Sequence, residues 1–279
     1  MGMRRRIAIL ATLLAPAFAW AANSTFQVPL QERDLDAYVF SPYLGNGLYV
    51  ASGNEVVTFN LEPGIDLVPA GNQEIGWRLN LPISAGFIGL QTDRLPDSSL
   101  PERFGTLTVL PGIEARLDLS RRWLLKPFVD LGLGHNFGNG ENTLVWGLGA
   151  RSYFLASRAD RVTVYNRLMR AGFRNTASGE RGGFSSLETG IVRSFPLRLS
   201  LFGRPLSTSI YFENFVYFDP AEISRLAAPW SVSTHNELGI TLGADDWRPD
   251  NLVHQPRIGI GWRETREGGA LRILFGMPF

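Results

Sequence analysis

The 279-residue chain has no cysteine and only three histidines. No apolar run beyond its first twenty residues approaches the ~20 residues that a membrane-spanning helix needs. The missing cysteine excludes a disulfide framework, so backbone hydrogen bonds and packing must hold the fold. Walker loops, dinucleotide fingerprints and zinc-ligand spacings are absent as well, and the sequence calls for no cofactor or metal. Charge of one sign is also lacking, with 27 basic against 26 acidic residues, which gives no footprint for nucleic acid. What is abundant is glycine, at 30 residues, and aromatics, at 11%. Both favour strands and turns over helices.

The N-terminus reads as an export signal. Arg4, Arg5 and Arg6 precede an apolar stretch from Ile7 to Phe18 that is too short to span a bilayer. Ala19-Trp20-Ala21 supplies the small-x-small pattern of a cleavage site. Residues 1–21 are therefore set apart as a cleaved signal peptide. Cleavage removes three of the 27 basic groups and no acid, leaving 24 against 26. Residues 22–36 have no clear period and read as a periplasmic lead-in or a segment that enters a barrel lumen.

From residue 37 onward a period of two dominates. Ala37–Leu44 and Gly47–Leu61 are expected as weakly patterned strands, with Gly45-Asn46-Gly47 as a loop and Gly53 as a bulge. The alternation then becomes clear. Ile75, Trp77, Leu79, Leu81, Ile83 and Phe87 oppose Arg78, Asn80 and Ser84. Leu107, Val109, Ile113, Leu117 and Leu119 oppose Thr106, Thr108, Glu114, Arg116 and Asp118. Similar strands follow across 123–134, 143–155, 161–173 (of ambiguous facing), 183–195, 204–218, 231–243, 252–264 and 269–279. Strict alternation means extended strands with one apolar face each. The count is twelve, with ten or fourteen as alternatives, because the division of 37–73 is open. The fold class is all-β, read as a closed antiparallel up-and-down barrel across residues 37–279.

The last strand carries the most specific signal. Leu271, Ile273, Phe275, Met277 and Phe279 occupy every second position, and the chain stops on the aromatic. This strand resembles the closing strand of bacterial outer-membrane β-barrels, which in that family is read by the barrel-assembly machinery. Twelve strands of roughly ten to fifteen residues look like the translocator barrels of autotransporters. The likeness covers about 37–279 and rests on architecture. On this reading only residues 22–36 are expected before the first strand, so the resemblance is to a solitary autotransporter-type barrel. The resemblance implies an outer-membrane location, with lipid and lipopolysaccharide as neighbours and with assembly machinery and periplasmic chaperones as partners during biogenesis.

On this reading the apolar faces meet acyl chains and the mixed faces line a lumen. The mixed faces are sparse in lysine and rich in glycine, arginine, glutamate and tyrosine. Glu114, Arg116, Asp118, Lys126, Asp130 and Arg151 form a possible charge ladder. Glu213, Glu237, Arg257 and Arg263 face the same way further along. Their role is either structural pairing or ion selectivity. Inward glycines at 132, 134, 147, 149, 239, 259 and 261 either leave room for a plug or ease curvature. Trp77, Trp123, Trp146, Trp262 and Tyr153 are girdle candidates, with ordinary core packing as the alternative.

Catalysis has little support. His135 has the parity of the apolar face near a strand end, where barrel lipid hydrolases place a histidine. The residue two beyond it is Phe137, so the nucleophile that such a pattern requires is absent. His235 with Glu237 is either an oriented base or a hydrogen-bonded rim pair. The expected function is a non-enzymatic outer-membrane barrel, pore-like, translocator-like or structural. The alternatives are a small porin-like channel and an outer-leaflet lipid-modifying enzyme. N-terminal sequencing of the exported protein is expected to start at Ala22; a start at Met1 in the membrane fraction would contradict the export signal.

Overall fold

The computed structural model describes residues 41–44, 47–51, 54–68, 75–88, 103–201, 203–218, 233–245, 257–265 and 268–275. The signal segment, with Ala19 and Ala21, the lead-in at 22–36, and Met277 and Phe279 lie outside the described residues.

Alternation produces strands almost throughout. In chain order these are β1 (Gly47–Ala51), β2 (Asn54–Leu61), β3 (Gly64–Val68), β4 (Gly76–Asn80), β5 (Ile83–Ile88), β6 (Arg103–Val109), β7 (Gly112–Ser120) and β8 (Trp123–Asn136). There follow β9 (Glu141–Ser157), β10 (Val162–Asn175), β11 (Arg181–Leu201), β12 (Arg204–Phe218), β13 (Ser233–Ala244), β14 (Arg257–Thr265) and β15 (Gly268–Phe275). Every pairing is antiparallel between neighbours, in one sheet. The bonded path runs β1-β2-β5-β6-β8-β9-β10-β11-β12-β13-β14-β15, which is twelve strands, with β3, β4 and β7 beside it.

Those three extra segments have one cause. Pro63, Pro82 and Pro111 interrupt three adjacent ribbons, since proline brings no N–H to a ladder. The chain continues through each break, so β2 runs on into β3, β4 into β5 and β6 into β7. The prolines sit side by side: Leu81 N–H donates to the Pro63 carbonyl, Leu110 N–H to Pro82 and Leu131 N–H to Pro111, at 2.8 to 3.0 Å. A row of kinks therefore crosses the sheet at one height, and the expected unbroken alternation from Ile75 to Phe87 and from Leu107 to Leu119 is corrected there. At that height Leu110 turns inward and is fully buried against Gly132, where a Cβ would meet the Val109 carbonyl.

The sheet curls into an open, barrel-like shape. Its edge strands β1 and β15 approach within 8 Å between Cα atoms, without a bonded ladder between them among the described residues. Gly47 and Phe275 lie at one end, here called the near rim. The far rim carries the turns at 137–140 and 176–180. Gly179 adopts φ 75° in one of these turns, a conformation that favours glycine.

Three local expectations are corrected. Ser41–Leu44 is a single helical turn, α1, rather than strand. It packs on the concave side, where no ladder partner is open to it. The expected bulge at Gly53 lies outside the described residues. β11 extends to Leu201, beyond the expected end near Phe195, and is carried by pairing with Arg204 and Pro205 of β12. The 161–173 strand has a definite facing, with Thr163, Tyr165, Met169, Ala171 and Phe173 inward.

The inward glycines serve as seats for aromatic rings. A Cβ on Gly190 would lie 2.1 Å from the Tyr165 ring, and one on Gly239 or Gly261 would strike Tyr211. Gly147 in the same way accepts the hydroxyl end of Tyr43 from α1. Packing this close leaves no volume to spare. Gly190→Ala is therefore expected to lower unfolding stability by about 1–3 kcal/mol, measured by urea titration; an unchanged midpoint would contradict the ring-on-glycine packing.

Candidate functional site

The interior of the curl holds most of the buried charge. β7, β8 and β9 bring one cluster together. Lys126, the chain's single lysine, and Arg151 are register partners. Like charges in that position repel. Glu114 from β7 reaches between them, 3.0 Å from Lys126 Nζ and 2.9 Å from Arg151 Nη1. Arg151 also stacks 4.3 Å from the Phe128 ring, and Lys126 lies 5.6 Å over Tyr153.

The second cluster inverts the signs. Glu213 and Glu237 are register partners on β12 and β13. Arg272 from β15 lies 2.9 Å from Glu237 Oε2 and 3.9 Å from Glu213. Arg263 donates to Glu237 at 2.9 Å, and Tyr211 donates to it at 2.6 Å. Arg263 covers the Phe215 ring at 3.9 Å. Alongside, Arg167 of β10 grips Glu188 of β11 with two hydrogen bonds of 2.7 and 2.5 Å. The guanidinium fork makes such a paired grip possible. Three carboxylates thus meet three guanidiniums across β10 to β15.

α1 ties the first cluster to Arg167. Tyr43 donates from its hydroxyl to Asp130 at 3.1 Å, and its carbonyl accepts from Arg167 Nη2 at 3.0 Å. Burial first, and then the Asp130 charge, push the Tyr43 phenol up from its ordinary value, so it remains a donor. The ring joins an apolar cluster of Leu110, Phe128, Val145, Met169, Phe173 and Phe184 toward the far rim. Nearer the other end Leu124, Tyr153 and Tyr165 form a second apolar patch. Side chains therefore fill the described interior at several heights.

Of the charges read from sequence, Glu114, Lys126, Asp130, Glu213, Glu237, Arg257 and Arg263 are buried, and Arg116 and Arg151 are half-buried. Arg116 lies 3.8 Å from Asp66, which also pairs with Arg78. Asp118 is exposed beside the 121–122 turn, so the ladder stops before it. Arg257 takes neutral partners, donating to Ser207, Ser209 and Thr241 and to the carbonyls of Ser207 and Ala244. Tyr153 is 1% exposed and inward, so it is corrected from girdle to interior. Its odd-numbered position shares a face with Gly147, Gly149 and Arg151. Trp77, Trp123 and Trp262 are exposed on the convex side, and the Trp146 ring lies over Gly172.

Ile273 faces outward, between Arg272 and Leu274, which are buried; Leu271 and Phe275 belong to β15. His135 contacts Asn142 Oδ1 at 2.8 Å and the Phe137 ring at 4.6 Å, so its described neighbours supply no nucleophile. His235 lies 3.4 Å from the Glu264 carbonyl and edge-on to Tyr217, while the Glu237 carboxylate is engaged by Tyr211, Arg263 and Arg272. Among the described residues no group of histidine and acidic side chains is placed to hold a metal.

Sequence reasoning missed Tyr43, Arg167, Glu188 and Arg272. Arg272 and Glu188 have the inward parity of their strands and were there to be found. Tyr43 had no such signal, because it acts from a helical turn. Comparison of the chain with protein-family models and with curated proteins gives no match.

Arg272→Met removes the cation between two facing acids. Losing one partner of a buried pair costs about 3–5 kcal/mol. That loss is expected in urea unfolding, with a second change, Glu213→Gln, recovering part of it. An additive double mutant would contradict the bridging role.

Proposed function

We propose that this chain is an integral outer-membrane β-barrel of the solitary autotransporter type, non-enzymatic, with a lumen occupied at rest by ion pairs and by α1. One observation carries the membrane assignment. The convex face exposes Val129, Leu131, Leu133, Leu148, Leu168, Leu238, Ile258 and Ile260, while Glu114, Lys126, Glu213 and Glu237 are all but fully buried. A protein dissolved in water would have to do the reverse, because buried charge is costly and a broad apolar surface drives association. Placing the apolar face against acyl chains removes the conflict.

Two further features support the assignment. Trp77 and Trp123 stand near one rim, and Trp146 and Trp262 nearer the other. Trp123 pairs with Phe154, and Trp146 lies further along the same strand β9. The interval is roughly 27 Å of strand at ~3.4 Å per residue. At a tilt of about 40° this gives a height of roughly 20 Å, close to the ~25 Å apolar band between aromatic girdles. The nearness of β1 to β15 supports closure of the barrel, since a closed sheet leaves no edge in lipid.

The filled interior favours a translocator-like or structural barrel at rest over an open channel. Two measurements test this. The native protein is expected to migrate faster before boiling than after it in SDS gels, as folded barrels do. In planar bilayers it is expected to be nearly silent, and Tyr43→Ala combined with Arg167→Ala is expected to give openings at least several-fold more frequent. Steady porin-like conductance from the unaltered protein would favour the channel reading instead.

A Leu131→Arg change is expected to destabilise the protein in lipid vesicles by about 2–4 kcal/mol, the cost of arginine near mid-bilayer. A change below about 0.5 kcal/mol would mean that this face meets water.

A further inference from the structure

Near the far rim the convex face carries an exposed like-charged pair. Arg174 of β10 and Arg181 of β11 are register partners, and both are exposed on the outward parity of their strands. Their Cα atoms are about 4.5–5.5 Å apart, as opposite residues in an antiparallel pair are. Two cations at that separation repel, and in the clusters of the interior every such like-charged pair is bridged by an opposite charge. Here none is. Among the described residues neither Arg174 nor Arg181 has an ion pair, and Glu180, beside Arg181, pairs with neither.

The surroundings narrow what would complete the pair. One register step toward mid-height the outward positions are Gly172 and Gly183, both buried. The indole of Trp146 lies over Gly172. Beyond the glycines, Arg170 donates to Ser185 Oγ at 3.2 Å. At the level of the arginines, toward β8, the outward neighbours are Leu144 and Leu133, both exposed. A pair of guanidiniums thus stands beside an apolar strip formed by Leu144, Leu133 and the Trp146 indole, which fills the space over Gly172. A free anion would satisfy the charges but leave the apolar strip unused. A molecule with phosphate at one end and acyl chains at the other uses both, because guanidinium donors match phosphate oxygens and the leucines match the chains.

We propose that Arg174 and Arg181 form a headgroup site for a phosphorylated outer-leaflet glycolipid of the lipid A class, with its chains lying along Leu144, Leu133 and Trp146. The site rests on the membrane assignment given above. It would fix one lipid at this rim and neutralise the only like-charged outward pair on β10 and β11.

The test is native mass spectrometry of the full chain, released from detergent after incubation with bisphosphorylated lipid A, with the same lipid dephosphorylated, or with inorganic phosphate. Retention of the bisphosphorylated form is expected to exceed that of the dephosphorylated form at least tenfold on the unaltered protein. It is expected to fall at least tenfold in R174Q/R181Q, and excess inorganic phosphate is not expected to displace the lipid. Equal retention of the two lipids by the unaltered protein would overturn the site without recourse to any variant. So would undiminished retention by an R174Q/R181Q sample that remains heat-modifiable. Displacement by inorganic phosphate would mean a simple anion site and would overturn the lipid proposal. Heat-modifiability of the unaltered sample reports separately on the barrel, so loss of lipid selectivity in a heat-modifiable protein counts against the site alone.

Discussion

Charge buried on the concave side must be neutralised there, and this constraint shapes the whole molecule. Lys126 and Arg151 face each other across a ladder, as do Glu213 and Glu237. Each like-charged pair is held by one opposite charge from another strand, Glu114 in the first case and Arg272 in the second. The bridging residue therefore locks strands together through side chains as well as through backbone hydrogen bonds. Arg272 matters most in this respect. It sits on the last strand and binds β12 and β13, across the intervening β14.

The same interior explains why the glycines and tyrosines occur together. An inward phenol needs both a seat and an acceptor. Tyr211 rests on Gly239 and Gly261 and donates to Glu237. Tyr43 rests against Gly147 and donates to Asp130. The first arrangement joins neighbouring strands; the second draws a helical turn into the curl. A common packing device thus serves the wall in one case and the filling of the curl's interior in the other.

Much of this was legible in the sequence, because a period of two assigns each side chain to a face without further information. The outward set from Trp77 to Ile273 and the inward set from Glu114 to Arg263 follow from parity alone. Pairing partners do not follow from parity. They depend on register, and so the Arg167–Glu188 pair and the bridging role of Arg272 had to come from the structure. The proline row was present as three separate prolines, but their alignment at one height depends on how far each strand is offset from the next. Tyr43 was the least legible, since a single helical turn held by tertiary contacts leaves no periodic trace. Tyr153 shows the opposite failure: its aromatic character suggested a girdle, but its parity, which places it inward, was the better guide.

The central claim is that the apolar convex face lies against acyl chains. A chain without cysteine allows single labels to be placed freely. Nitroxide labels at each position from 144 to 149 on β9, in the protein reconstituted into lipid vesicles, test the claim most directly. Collision with oxygen is expected to exceed collision with a water-soluble nickel chelate at 144, 146 and 148, and to fall at 145, 147 and 149. High nickel accessibility at 144, 146 and 148 would show that these residues meet water, and would contradict the account.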